Sequence, residues 1–323
     1  MQKNTLRETW KSGNNTVNGW LGIPNTMSAE VVARAGFESV TVDMQHGCVP
    51  FNMVVPMFQA IQQTDAVPMV RVPWNEPGII MRVLDAAAYG VICPMINTVE
   101  EAKALVQACR YPPLGGRSNG PFRALFSAGG DYVKHANDEI LVFAMIETET
   151  AIANLPEILK VEGLDGCYVG PSDLGLSMGE EATLTPKSQK VLDGIKKIAD
   201  LTNEAGLIPG IHCDGPETVL TRYETGFRFA SLLNDTRLLF SACQNGIKAI
   251  KGKGPAKAAT SYRTARVPRG RAGRCQRGLS TGALAAERKR LRTTISRLRS
   301  WPASTARAPT KSGPTSNVKR RQP

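Results

Sequence analysis

Two carboxylates stand at places where they could share a cation. Glu147 follows the apolar run LVFAMI (141–146), and Asp173 lies in VGPSDLGLSMG (169–179), whose Gly170 comes 23 positions after Glu147. Each acid sits just past a short strand-like segment. Carboxylates on neighbouring strand ends can hold one hard divalent ion, because such ions take oxygen ligands. Other polar groups fall at comparable positions: SVTVDM (39–44) runs into Asp43, Gln45 and His46, and VPMVRV (67–72) carries Arg71. An ion held by Glu147 and Asp173 would leave room for the carboxylate and keto oxygens of a 2-oxo acid and would act as a Lewis acid stabilising an enolate. Arg71 would face the same oxyanion, and His46 would move a proton. Backbone N–H groups around Ser172 and Asp173, at a helix start, would hold the substrate carboxylate. No Lys ends a strand-like run, which argues against Schiff-base chemistry.

Each residue also has an ordinary explanation. His46 in DMQHG could cap the next helix. Arg71 interrupts an apolar run, where an unpaired charge is costly, so it needs a carboxylate that is either structural or a substrate's. Glu147 or its neighbour Glu149 could be a helix-start acid favoured by the dipole, and Ser172 or Asp173 could be an N-cap. His135 lies in a polar stretch, and His212 ends an apolar run without an obvious partner. The set says more than any member.

The elements that must position these residues are eight apolar runs: 19–23, 39–44, 67–72, 90–95, 141–146, 166–170, 207–212 and 227–233. Most are continuous rather than alternating, as expected of parallel strands covered on both sides. Helical patterns lie between them, such as Val191, Ile195 and Ile198 with Gly206 as a stop. Eight strand–helix units predict a (β/α)8 TIM barrel, in which polar residues at the C-terminal strand ends face the active site. No GxGxxG follows the first strand, which disfavours a doubly wound nucleotide-binding sheet. The Gly- and Pro-rich stretch 110–139 reads as a loop with a short helix on the active-site side.

The net charge of +12 over 323 residues hides two polymers. Residues 252–323 hold 19 Lys or Arg and one acid, whereas residues 1–251 hold 21 basic and 27 acidic residues. The barrel domain (1–251) is thus mildly acidic, and the high pI is no reason to read it as a nucleic-acid binder. The tail (252–323) has nine large apolar residues in 72, too few to offset chain entropy, and reads as disordered low-complexity sequence. Out-of-frame or vector-derived sequence is an alternative. A basic helix over 283–300 touching nucleic acid or an anionic membrane is another. No apolar run reaches about 18 residues, so no membrane span is predicted. The N-terminus lacks a secretory h-region, and six Cys in the body without a CxxC pair suggest buried thiols in a reducing cytoplasm.

The segments GWLGIPNTMSAEVVARAGFESVTVDMQHG, VPMVRVPWNEPGIIMRVLDAAAYGVICPMINTVEEA, YPPLGGRSNGPFRA, MIETETAIANLPEIL and DGCYVGPSDLGLSMG resemble, in order, the HpcH/HpaI aldolase/citrate lyase family, metal-dependent aldolases of 2-oxo acids. The resemblance covers about residues 15–251. It implies a (β/α)8 barrel assembled as a homohexamer with the last helix exchanged between neighbours. It implies Glu147 and Asp173 as ligands of Mg2+, alternatively Mn2+ or Co2+, Arg71 as the enolate-stabilising residue, and His46 with Asp85 as a catalytic pair. Asp43 matches a further active-site acid. The implied reaction is reversible cleavage of a 4-hydroxy-2-oxo acid to pyruvate and an aldehyde. Met145 stands where some members carry a Gln. A lyase for acyl-CoA thioesters is the rival on the same fold, and the compact YPPLGGRSNGPFRA segment favours small substrates over it.

Overall fold

The computed structural model describes residues 1–252, and the expectations about the basic tail lie outside the described residues from residue 253 on. Eight parallel strands close into a barrel in chain order: β1 (Thr16–Leu21), β2 (Ser39–Asp43), β3 (Val67–Arg71), β4 (Gly90–Cys93), β5 (Leu141–Ile146), β6 (Gly166–Val169), β7 (Ile208–Cys213) and β8 (Phe229–Leu232). β8 returns to pair with β1, Thr16 opposite Phe229. All eight predicted strands are present, each within three residues of its predicted bounds. The helices are α1 (Thr5–Lys11), α2 (Thr26–Ala33), α3 (Phe51–Ile61), α4 (Pro77–Asp85), α5 (Val99–Cys109), α6 (Phe122–Ala128), α7 (Tyr132–Glu139), α8 (Glu149–Ile158), α9 (Pro171–Ser177), α10 (Gln189–Glu204), α11 (Pro216–Glu224) and α12 (Asp235–Ile250).

Continuous apolar strands suit this arrangement, because side chains point alternately into the barrel and against the helices, and both destinations are dry. β2, β4, β5 and β6 are buried at every residue. Trp10, Phe143, Phe229 and Tyr168 meet edge-to-face or tilted, with centroids 5.3–6.1 Å apart, and fill the lower barrel. Above them lies a polar layer. Ser39 and Thr41 donate to Asn18 Oδ1 (2.8 and 3.1 Å), Asn18 Nδ2 donates to Ser231 Oγ (2.8 Å), and the Tyr168 hydroxyl donates to the same Oγ. Buried hydroxyl and amide groups are tolerated there because each has a partner.

The stretch 110–139 departs from expectation. It holds two helices, α6 and α7, and lies at the opposite end of the barrel from the predicted side. The chain reaches the C-terminal rim at the end of β4 and is carried back to the base by α5. Everything between α5 and β5 therefore sits at the base. The contacts agree: Tyr132 and Arg123 donate to Leu84 O and Ala86 O at the lower end of α4. A clasp of charges fixes this end, with Asp165 bridging Arg7 (2.6 Å) and Arg110 (2.7 Å) while accepting from Val142 N–H (2.7 Å). The YPPLGGRSNGPFRA segment thus borders no part of the rim and says nothing about substrate size. Among the described residues no helix is long and apolar enough to cross a membrane.

Candidate active site

The C-terminal strand ends open on a cleft of about 570 Å3, lined by Asp43, His46, Arg71, Glu147, Ser172 and Asp173. Six of the seven sequence-predicted residues thus share one cavity. Its deepest charge pair is Asp43 with Arg71, side by side because β2 and β3 pair in the register Asp43↔Arg71. Arg71 Nε donates to Asp43 Oδ1 (2.9 Å) and Nη2 to Oδ2 (2.6 Å), a two-point fork. The same carboxylate accepts from the N–H groups of Gln45 (3.0 Å) and His46 (3.2 Å) and from Trp20 Nε1 (3.2 Å). The tight bend this requires uses Gly47, since a Cβ there would overlap Asp43 O. Burial works to raise the Asp43 pKa, but the hydrogen bonds and charge of Arg71, then Trp20 and His46, outweigh it and hold the carboxyl below its ordinary value. Burial likewise opposes the Arg71 charge, and Asp43 overrides it. The carboxylate that Arg71 needed is therefore structural, and Asp43, the further active-site acid that the resemblance implied, gives both oxygens to the protein.

Glu147 leaves the end of β5 and is 3% exposed. Met95, held in a left-handed conformation (φ 56°) just after β4, donates its N–H to Oε2 (3.0 Å). Oε1 points at the chain leaving β6, where a Cβ on Gly170 would overlap it. Burial, then the neighbouring charge of Asp173, push the Glu147 carboxyl up to about 7 against the opposing Met95 N–H and Arg71. Asp173 is exposed, in the first turn of α9, and Gly170 is that helix's N-cap. The N–H groups of Ser172 and Asp173 have no intrahelical acceptor in that turn. Glu149 is distinguished from Glu147 by place: it opens α8 and pairs with Lys190 at 2.7 Å on the outside.

His46 is exposed at the cleft mouth, and its ring has no hydrogen-bond partner among the described residues. Asp85 is not beside it. Asp85 ends α4 at the base of the barrel and accepts from Arg117 Nη2 (2.7 Å), while Arg117 Nη1 donates to the Tyr132 hydroxyl (3.0 Å). Within one chain the predicted His46–Asp85 pair is therefore not formed, because α4 runs from the rim to the base and Asp85 is its last residue.

Sequence reading undervalued three aromatic residues. Trp20 on β1 lies under the Arg71 guanidinium (4.9 Å) and stacks on Tyr168 (5.7 Å). His212 on β7 meets the Trp20 ring edge-on at 4.9 Å, and burial with the nearby Arg71 charge pushes its pKa down to about 3, so it is neutral. Its partner, the Tyr168 hydroxyl (3.5 Å from Nδ1), is 44 residues away on β6. Only strand register, not spacing along the chain, could have shown it. Met145, on β5, lines the cleft as well.

Residues 18–240 match the family described as HpcH/HpaI aldolase/citrate lyase. A hydroxypyruvate/pyruvate aldolase of Rhizorhabdus wittichii is 38% identical over 244 residues, which is 76% of this chain and 97% of that protein. A 4-hydroxy-2-oxo-heptane-1,7-dioate aldolase of Shigella sonnei is 35% identical over 245 residues, 75% of this chain and 93% of its own. Among solved structures, an HpcH/HpaI aldolase/citrate lyase family protein from Burkholderia cenocepacia superposes with a TM-score of 0.73 at 26% identity, covering 77% of this chain and all of that one. With all eight barrel strands and every residue of the rim cleft inside or beside the matched region, the chain belongs to the HpcH/HpaI aldolase/citrate lyase family.

Proposed function

We propose that this protein is a divalent-metal-dependent aldolase, a carbon–carbon lyase that reversibly cleaves a 4-hydroxy-2-oxo acid to pyruvate and an aldehyde. The observation that carries the reading is the buried Glu147 facing Asp173 beside a guanidinium clamped by Asp43. The two acids suit a cation. Glu147 is buried, one of its oxygens lacks a protein donor, and a second carboxylate raises its pKa where a cation would lower it. Two carboxylates would leave a bound ion positions open for water and substrate. Mg2+, Mn2+ or Co2+ held by Glu147 and Asp173 would supply Lewis-acid polarisation of the 2-oxo group.

The chain's own residues do the rest. Arg71 has given Nε and Nη2 to Asp43, so Nη1 remains for the 2-oxo oxygen, where negative charge develops as the C3–C4 bond breaks. Asp43 orients Arg71 and keeps it charged. His46 at the mouth accepts the C4 hydroxyl proton in cleavage, directly or through water, and a proton is returned to C3 to complete pyruvate. The first-turn N–H groups of Ser172 and Asp173 face the substrate carboxylate. Asp85 takes no step within one chain. A cleft of about 570 Å3 suits a small acid better than a CoA thioester.

A homohexamer belongs to the same reading. α12 exposes Leu239, Phe240, Ile247 and Ile250, an apolar face of the kind that assembly covers. The six described cysteines are free, which supports a reducing, cytoplasmic setting. The test is pyruvate release from a panel of 4-hydroxy-2-oxo acids. EDTA is expected to abolish it and Mg2+, Mn2+ or Co2+ to restore it. Full activity in chelator would overturn the metal reading, and no release from any substrate would overturn the aldolase reading.

A further inference from the structure

Met95 departs from ordinary backbone. It is a non-glycine residue held at φ 56°, two residues past the end of β4. Side chains of the L series rarely take that conformation, and it persists only where the surroundings fix it. Both polar groups of its backbone end on side chains. The N–H donates to Glu147 Oε2 (3.0 Å), and the C=O accepts from Asn97 Nδ2 (2.8 Å). A carbonyl oxygen can only accept, so the amide nitrogen of Asn97 is the atom turned to Met95, and Oδ1 faces elsewhere. There it accepts from the Thr148 hydroxyl, whose oxygen accepts in turn from Ala151 N–H (3.0 Å). Asn97 thus grips two neighbours of Glu147, the residue that donates to it and the residue that follows it in the chain. Its backbone is engaged as well. The N–H donates to Glu101 Oε2 (2.6 Å), and the C=O accepts from Asn154 Nδ2 (2.8 Å), which anchors Asn97 to α5 and α8. Each of its polar groups has a partner, yet Asn97 is not among the residues lining the cleft.

The consequence falls on Glu147. With Oε2 tied to Met95, Oε1 is the oxygen left over, and it lies where a Cβ on Gly170 would overlap it. Gly170 opens the helix that carries Asp173. A Met95 relaxed to negative φ would turn its N–H away and free the carboxylate to rotate. We propose that Asn97 is a positioning residue for Glu147. By holding Met95 in the left-handed conformation it keeps the Met95 N–H on Oε2 and leaves Oε1 turned to the start of α9, ready for a cation shared with Asp173. This inference rests on the metal-dependent reading of that pair. Groups that orient a ligand, without touching the ion, govern how tightly the ion is held.

The experiment titrates Mn2+ into the full-length protein stripped with EDTA and reads the free ion by electron paramagnetic resonance. Asn97→Ala is expected to weaken Mn2+ binding about 10- to 100-fold. The same substitution made in a Met95→Gly background is expected to weaken it by no more than about threefold, because glycine takes the left-handed conformation without being held there. A latch that merely ties α5 to α8 would give equal losses in both backgrounds. Unchanged Mn2+ affinity in Asn97→Ala, or the same loss with and without Met95→Gly, would overturn the inference. Should Asn97→Ala fail to fold by circular dichroism, Asn97→Asp decides. It keeps the size of the side chain and the oxygen that Thr148 meets, but it has no amide to donate to Met95 O. Mn2+ affinity should then fall about tenfold or more despite the added negative charge. Equal or tighter binding would overturn the inference, and so would failure of both variants to fold, which would assign Asn97 to the fold. Wild-type protein that binds no Mn2+ would instead sink the metal reading of Glu147 and Asp173 itself.

Discussion

Asp43 accepts hydrogen bonds from Gln45, His46, Trp20 and two nitrogens of Arg71, which leaves it no capacity for a substrate. Its contribution is to aim one guanidinium. Asp43→Asn keeps the shape but loses the charge and an acceptor, so kcat/KM is expected to fall about 100-fold or more, with KM changing less than kcat. The pH dependence follows from the direction of the pKa. The folded-state value lies below the unfolded one, so the stability that Asp43 contributes is complete above about 4 and disappears as pH falls through the lower folded value. Melting temperatures taken from pH 7 to 3 should show this acid loss in the wild type and a shallower one in Asp43→Asn. Equal slopes would mean that the pair adds no net stability. At this scale the sequence was informative about charges that interrupt apolar runs. Arg71 and Glu147 declared themselves because a charge at a strand end needs a reason. Asp85 came from the family resemblance alone, and its place at the far end of α4, apart from His46 within one chain, could not be read from its helical pattern. His212 was passed over because its partner comes from the next strand.

Strand ends and the turns that leave them decide how the carboxylates meet. Gly170, where β6 gives way to α9, has an ordinary negative φ (−99°) and is needed for room, since a side chain there would strike Glu147 Oε1. Gly170→Ala is expected to push that carboxylate aside, lowering affinity for Mn2+ by about tenfold or more, read by electron paramagnetic resonance. The melting temperature should change little, and unchanged Mn2+ affinity would show that Glu147 does not bind the ion. The opposite end of the barrel has a separate task. Asp165→Ala would leave Arg7 and the buried Arg110 without their shared anion, a loss of about 3 kcal/mol. Activity below the melting transition should persist, because none of these groups reaches the rim. Eight strands were legible because dry parallel strands leave long apolar runs. The base insert was not: α6 and α7 have seven and eight residues, too short for a helical period to stand out among glycines and prolines. Its side of the barrel follows from its coming after α5, a point of connectivity rather than composition.

The molecule divides its labour between two ends of one barrel, and the family match stops at residue 240, well before the basic segment. A chain ending at residue 251 is expected to keep the wild-type kcat/KM for aldol cleavage, within about threefold; loss of activity with a folded barrel would assign the tail a part in assembly or catalysis. The acidic character of residues 1–251 was legible only after the chain was cut in two, because the average charge belongs to neither part. The polar layer of Asn18, Ser39, Thr41, Ser231 and Tyr168, closed by hydrogen bonds from five side chains on four strands, lies under the site and keeps its floor fixed without any ion. A floor closed by side chains alone needs no ion to hold its shape, so a cation bound by Glu147 and Asp173 would serve the chemistry and not the fold.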